Sequence, residues 1–138
     1  MSVKNQTFFN KVVKHLFEQN RKSMWKDGLC AYRNDEGMSC AIGCAIPKKA
    51  YDPNMEGQDV SELLEGYPDL ERYMPANLDL ANDLQIVHDD AVVTNKKIFD
   101  RRELAKHLCD VAVRYGLALP ESAYRMLPKY LKARVKVA

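Results

Sequence analysis

Two short apolar segments on either side of a polar turn constrain the fold of this chain most strongly. Residues 29–33 and 38–42 are rich in apolar, aromatic and cysteine residues, and residues 34–37, Asn-Asp-Glu-Gly, separate them. This pattern is typical of a β-hairpin with a loop of about four residues. In that register Arg33 lies opposite Met38.

The register of this hairpin decides which side chains meet. With a four-residue loop, one face carries five residues that we expect to pack on the first helix: Leu29, Ala31, Met38, Cys40 and Ile42. A three-residue loop would instead place Cys30 directly opposite Cys40. The pairing therefore determines whether two thiols come within reach of each other.

The rest of the chain has the apolar spacing of helices, and the mainly α, α+β fold class follows from it. Five helices are predicted: one from Phe8 to about Asn20, two that begin with capping boxes at Asp59 and Asp100, one over residues 77–90, and a short one from Pro120 to Met126. We expect these helices to pack around the hairpin of residues 29–33 and 38–42. Residues 1–120 are predicted to form a single globular domain, followed by a short helix and basic C-terminal tail over residues 121–138.

Composition places the chain among ordinary globular proteins. Hydrophobic residues make up 46% and charged residues 29% of the 138 positions. No stretch approaches the roughly eighteen apolar residues that span a bilayer, so no membrane association is expected. A cytoplasmic location is expected, with the four cysteines reduced. No cofactor is predicted.

Charge is segregated along the chain. Residues 51–95 carry one basic against eleven acidic side chains, whereas residues 1–50 carry nine against four and residues 96–138 eleven against four. One interpretation is that the basic ends fold onto the acidic middle and neutralise it within the monomer. The other is that an acidic surface binds a basic partner, or that the basic ends bind nucleic acid.

Five motifs resemble those of short uncharacterised proteins encoded by bacteriophages and bacterial genomes: Cys-Ala-Tyr-Arg (30–33), Cys-Ala-Ile-Gly-Cys-Ala-Ile-Pro (40–47), Tyr-Asp-Pro-Asn-Met-Glu-Gly (51–57), Leu-Gln-Ile-Val-His-Asp-Asp (84–90) and Tyr-Gly-Leu-Ala-Leu-Pro (115–120). The resemblance covers roughly residues 8–120. It implies a phage or mobile-element context and no particular reaction. The tail after Pro120 departs from the pattern.

The loop from Tyr51 to Gly57 and the hairpin offer a candidate pocket. Aromatic side chains there would stack on a small anionic, nucleotide-like ligand, and a guanidinium would bind its charge. The candidate ligand-binding residues are Trp25, Tyr32, Arg33, Tyr51, Met55 and Glu56. In the alternative interpretation, Tyr51 and Met55 only close the open end of the hairpin.

The cysteines provide a weaker indication of a metal site. Thiolates and imidazole are the ligands that zinc prefers, so Cys30, Cys40, Cys44 and His88 are candidates. Their spacing lacks the paired Cys-x-x-Cys pattern of structural zinc sites, and buried cysteines acting as small apolar residues are the simpler interpretation. Nothing around Cys40 or Cys44 matches a known nucleophile signature, so no catalytic residue is assigned.

Three functions remain open. The leading hypothesis is that the chain is a non-enzymatic protein that binds a host macromolecule, in the first place a host protein, in a host-takeover or anti-defence role. The second is a small-ligand binding protein or enzyme that uses the hairpin and the loop of residues 51–57. The third is nucleic-acid binding through the basic tail, for which the candidates are Lys129, Lys132, Arg134 and Lys136.

Overall fold

The computed structural model describes residues 2–94 and 98–138. Its helices are α1 (Asn5–Gln19), α2 (Val60–Gly66), α3 (Leu78–Asp90), α4 (Arg101–Tyr115), α5 (Glu121–Tyr124) and α6 (Lys129–Lys132), and its strands are β1 (Ala118–Leu119) and β2 (Lys136–Val137). Short 3-10 turns cover Gly43–Ala45, Lys48–Ala50, Pro53–Met55 and Pro68–Tyr73. The predicted α+β, mainly α class is confirmed. Within these two ranges, no helix has both the length and the apolar character that a bilayer crossing requires.

Helix α1 lies at the centre of the core, as its apolar spacing predicts. Five of its side chains are buried: Phe8, Phe9, Val12, Val13 and Leu16. The helix packs against α3, α5 and the turn at Gly43–Ala45. It ends at Asn20, which adopts a left-handed conformation with φ of 58° and donates its N–H to the Leu16 carbonyl. Burial of this stripe, at about 1.5–3 kcal/mol for each large side chain, stabilises the helix.

The two predicted capping boxes have different outcomes. At the start of α2, Asp59 and Glu62 cap each other's backbone N–H groups as predicted. At the start of α4, Asp100 accepts from the backbone of Glu103, but its own N–H donates to the Val92 carbonyl instead. The Glu103 carboxylate is therefore free to pair with Lys106, with 3.0 Å between Oε1 and Nζ.

The chain reverses direction at residues 34–37 as predicted, but the predicted register is wrong. Arg33 bridges Ser39 rather than Met38, and the Asn34 N–H donates to the Met38 carbonyl at 3.0 Å. The Asn34 side chain causes this shift, because its Oδ1 accepts from the backbone N–H of Met38 at 2.9 Å. Gly37 completes the turn with φ of 80°, a conformation in which glycine is unstrained.

The two arms of this turn do not form the five-residue strands that the pattern predicts. Arg33 and Ser39 form a single antiparallel bridge, and the second arm bends into the 3-10 turn Gly43–Ala45. Only glycine fits at position 43, because a Cβ there would lie 2.0 Å from the Tyr32 carbonyl oxygen. The backbones are therefore too close for the arm to continue as a regular strand.

The register also changes the predicted apolar face and the pairing of the thiols. Ala31, Cys40 and Ile42 are buried as predicted, whereas Leu29 is 65% exposed. The Cys40 N–H donates to the Tyr32 carbonyl, so the alternative pairing of Cys30 with Cys40 is also wrong. All four cysteines are free thiols.

The small sheet lies at the C-terminal end of the chain. Strands β1 and β2 pair in parallel, with Ala118 opposite Lys136 and Leu119 opposite Val137. Between the strands, α5, α6 and the turn that joins them add Ala123, Leu131 and Leu127, respectively, to the core. Residues 121–138 are thus packed against the rest of the protein.

Candidate functional site

A recess of about 400 Å³ lies between the chain around residues 30–42, the start of α2 and the outer face of α3. Its volume falls within the range typical of ligand sites. Its polar lining consists of Cys30, Gln58, Asp59, Asn82, Gln85 and Asp89, and its apolar lining includes Ile42, Val60 and Ile86. Among the described residues that line it, two carry a carboxylate and none is a lysine or arginine.

Asp89 is the centre of the polar network in this recess. Its Oδ1 accepts from Gln85 Nε2 at 2.8 Å and from His88 Nδ1 at 2.9 Å. The Cys30 thiol is a further donor to this carboxylate. Burial opposes ionisation of Asp89, but the hydrogen bonds from His88 and Cys30 lower its pKa below the ordinary value. The carboxylate is therefore ionised at neutral pH.

His88 is fully buried, and both of its ring nitrogens are occupied. Nε2 accepts the backbone N–H of Ser23 at 3.0 Å, so the proton of the neutral ring resides on Nδ1, which donates to Asp89. The ring packs edge-on against Phe99, with 6.1 Å between the ring centroids. His88 therefore joins the last turn of α3 to the buried backbone near Ser23.

Cys30, His88 and Asp89 offer three metal-ligand atoms within 4.8 Å of one another. A metal on Nδ1 of His88 would move the ring proton to Nε2, where it would face the N–H of Ser23. This geometry does not fit a metal. The other two candidates are not part of this cluster. Cys40 lines the same recess, but its sulfur accepts from the Gly43 N–H, and the Cys44 thiol donates to the Ala41 carbonyl.

The same geometry does not activate the Cys30 thiol as a nucleophile. The sulfur lies beside the Asp89 carboxylate, and the imidazole of His88 donates to that same carboxylate. Burial and the contact with Asp89 raise the pKa of Cys30 from 9.0 to about 12. The thiol is therefore protonated at neutral pH, whereas nucleophilic cysteines react as thiolates.

Four of the six predicted ligand-binding residues come together, but they bind one another. Glu56 accepts the backbone N–H groups of Tyr32 at 2.9 Å and Arg33 at 3.1 Å, and also the Tyr51 hydroxyl. The Arg33 guanidinium donates to the Ile46 carbonyl at 2.6 Å and lies 5.9 Å from the centre of the Tyr51 ring. Glu56 thus occupies the backbone donors and the Tyr51 hydroxyl of this loop, and the Arg33 guanidinium binds a backbone carbonyl.

The remaining candidates lie elsewhere. Met55 is buried in the core. Trp25 borders a separate recess of about 300 Å³ with Asn34 and Glu36. The four basic candidates, Lys129, Lys132, Arg134 and Lys136, lie on the packed C-terminal segment.

Sequence reasoning missed Asn82 and Gln85, which α3 contributes to the recess beside Asp89. Asn82, Gln85 and Asp89 recur at helical spacing on the face opposite the buried Leu80, Leu84 and Val87. A polar face on a helix is ordinarily a solvated one, so this spacing alone did not indicate a site. A contact that is distant in sequence marks the site, since Gln85 Oε1 accepts the N–H of Ile42 at 3.1 Å.

Comparisons with protein-family models, with curated protein sequences and with solved structures found no match to this chain. The resemblance to phage and bacterial proteins therefore stays a prediction.

Proposed function

We propose that this protein is a non-catalytic binding protein, and that its acidic recess holds a lysine or arginine side chain of a protein partner. In the described part of the chain, the carboxylates of Asp59 and Asp89 line the recess and no lysine or arginine does, and this observation carries the proposal. Lys22 is not a lining residue, and its ammonium donates to the backbone carbonyl of Asp89 at 2.6 Å.

The lining of the recess also offers hydrogen-bond acceptors for the charged end of a lysine or arginine side chain. Asn82 has a side-chain amide in the lining, and Gln58 Oε1 is a buried acceptor without a partner in the described residues. A buried acceptor without a partner costs about 1–3 kcal/mol. An ammonium or guanidinium group donates several hydrogen bonds and would satisfy Gln58 after a small rotation of its side chain.

Apolar groups around the recess suit the stem of such a side chain. Ile86 lines the recess and is 54% exposed, and the exposed Leu29 immediately precedes Cys30. Lysine and arginine have apolar stems that bury along such surfaces while their charged ends make polar contacts.

Two observations favour this function over the alternatives. Cys30 is a protonated thiol and both ring nitrogens of His88 are occupied, so the recess offers neither a thiolate nor a free imidazole. An anionic ligand would be repelled by the carboxylates of Asp59 and Asp89 in the recess, and by the Glu56 carboxylate at the loop of residues 51–57. By the phage and bacterial resemblance, we extend the proposal to a cytoplasmic partner from a bacterial host, in a takeover or anti-defence role.

The test is a titration of the ¹⁵N-labelled protein with N-acetyl-lysine methylamide and N-acetyl-arginine methylamide. We expect saturable shifts of the side-chain amide signals of Asn82 and Gln85, because both groups line the recess. The control is N-acetyl-norleucine methylamide, whose side chain resembles the apolar stem of lysine but carries no charge. Equal shifts with this control, or shifts confined to other residues, would contradict the proposal.

A matched pair of variants tests the charge. Asp59→Asn removes one carboxylate but keeps a side-chain oxygen to cap Glu62, and we expect it to weaken binding of the cationic probes about three- to tenfold. Asp69→Asn removes an exposed acidic group outside the recess and should leave binding unchanged. Equal weakening by both variants would indicate attraction by net charge alone.

A further inference from the structure

The C-terminal segment holds its basic residues on a fixed framework. Leu127 and Leu131 are buried in the core, and the N–H of Ala138 donates to the Leu119 carbonyl at 2.9 Å. The basic C-terminal face, as we define it, consists of Arg125, Lys129, Tyr130, Lys132, Arg134 and Lys136. The packing anchors the backbone that carries these side chains, unlike that of a free tail.

The cations of this face lack acidic partners. Residues 121–138 contain five lysine and arginine residues and one acidic residue, Glu121. None of the ion pairs among the described residues includes a cation of the face. Within residues 2–94 and 98–138, no ion pair neutralises this basic charge.

An exposed aromatic residue lies next to these cations in the sequence. Tyr130 is 68% exposed and lies between Lys129 and Lys132 in sequence. Tyr124 is covered by the ammonium of Lys132, which lies 5.5 Å from the centre of its ring. Tyr130 is also close enough to Lys106 of α4 to interact with its charge. The face thus combines positive charge with an accessible ring on which a base can stack.

We propose that the basic C-terminal face binds single-stranded nucleic acid, with its cations on the phosphates and Tyr130 stacked on a base. Stacking and phosphate contacts are the two features that single-stranded binding surfaces share. The helix α6 has four residues and the strand β2 has two, so neither is long enough to read bases in the major groove of a duplex. Unpaired bases, in contrast, are open to Tyr130.

The experiment measures fluorescence anisotropy of a labelled twelve-nucleotide oligothymidine with the full chain. If the four cations Lys129, Lys132, Arg134 and Lys136 each neutralise a phosphate, log K should fall with log salt with a slope of about −2.8. Affinity should then drop roughly 50-fold between 50 and 200 mM salt. Equal affinity for a duplex of the same length would overturn the proposal.

Variants separate the two kinds of contact. Lys129→Gln with Lys136→Gln should weaken binding and reduce the slope by about 1.4, whereas Tyr130→Ala should weaken binding about tenfold and leave the slope unchanged. The control pair Lys48→Gln with Lys49→Gln removes two exposed cations from a different part of the chain. Equal weakening by this control would overturn the proposal.

Two further controls test whether the partner is nucleic acid or lipid, and whether binding at the C-terminal face is independent of the recess. Binding to phosphatidylglycerol vesicles in the absence of oligonucleotide binding would assign the face to lipid and overturn the proposal. The recess variant Asp59→Asn should leave oligonucleotide affinity at or slightly above that of the unmodified chain. It removes one negative charge from the protein, and Asp59 is not part of the basic C-terminal face.

Discussion

At the scale of single residues, His88 and Asp89 join three parts of the chain. His88 accepts from the backbone of Ser23, and Asp89 accepts from the side chains of Cys30, Gln85 and His88. The sequence identifies the pair as adjacent polar residues at a helix end but does not reveal these partners. Ser23 and Cys30, the partners of His88 and Asp89 outside α3, are distant in sequence, so no local pattern encodes these contacts.

Replacing His88 with alanine should lower the free energy of unfolding by about 2–4 kcal/mol. The change leaves the buried N–H of Ser23 without an acceptor and takes a donor from Asp89, and each unsatisfied group costs about 1–3 kcal/mol. Urea denaturation measures the effect. The exposed His107→Ala is the control and should change stability by less than about 0.5 kcal/mol. A loss below about 1 kcal/mol for His88→Ala would contradict the role proposed for its ring.

The Cys30 thiol should make the protein sensitive to alkali. Burial and Asp89 raise its pKa in the folded state from 9.0 to about 12. A group with a raised folded pKa contributes stability that is complete below pH 9 and is lost as pH rises from about 9 towards 12. Urea midpoints should therefore fall over this interval.

Cys30→Ser is the matched variant for this titration, because its hydroxyl still donates to Asp89 but does not ionise in this range. We expect a smaller fall in the urea midpoint above pH 9 than in the unmodified chain. A fall remains, since burial also raises the pKa of Cys44 to about 12. Identical pH profiles for the variant and the unmodified chain would refute the assignment to Cys30.

At the scale of elements, the helices were predictable and the turn pairing was not. The apolar spacing that predicts α1, α3 and α4 reflects one continuous face, and each of these helices buries that face in the core. The hairpin register instead depends on one side chain, Asn34, which bonds to the backbone on the far side of the turn. The recess was missed for a similar reason, since it forms where α2, α3 and the 30–42 chain meet.

Two glycine variants test how closely the backbones pack. Gly43→Ala should destabilise the protein by about 3 kcal/mol or more, because its Cβ would lie 2.0 Å from the Tyr32 carbonyl oxygen and force the backbone apart. Gly66→Ala is the control at the end of α2, where a Cβ meets nothing within 4 Å. We expect it to be neutral or stabilising by up to about 1 kcal/mol. Thermal unfolding compares the two, and equal effects would contradict the close approach at Gly43.

At the scale of the whole molecule, the charge segregation seen in the sequence is only slightly offset by ion pairs. Among the residues that the structure describes, the pair of Arg114 with Asp83, at 2.8 Å, is the one ion pair between the basic C-terminal third and the acidic middle. The recess carries acidic charge and the C-terminal face basic charge. The acidic recess therefore favours a cationic partner, and the basic C-terminal face favours an anionic one.

Removing residues 121–138 should abolish cooperative unfolding. The deletion takes Ala123, Leu127 and Leu131 out of the core, and each leucine contributes about 1.5–3 kcal/mol through burial. That loss is comparable with the total stability of about 5–15 kcal/mol of an ordinary domain.

A shorter deletion provides the control. Removing residues 136–138 takes away only β2 and the contact of Ala138 with Leu119, so we expect a lower melting temperature with cooperativity retained. Circular dichroism during heating measures both chains. A cooperative transition in the chain of residues 1–120 would show that this part folds without the C-terminal segment.

The contact of Glu56 with the backbone of Tyr32 and Arg33 also affects local motion near the recess. One carboxylate holds both N–H groups, so any fluctuation that lifts Glu56 away releases the two amides together. Their hydrogen-exchange rates should consequently rise and fall in step. Because Tyr32 also borders the recess, opening of the 51–57 loop would loosen the recess wall at the same moment, and a bound side chain would slow exchange at both amides.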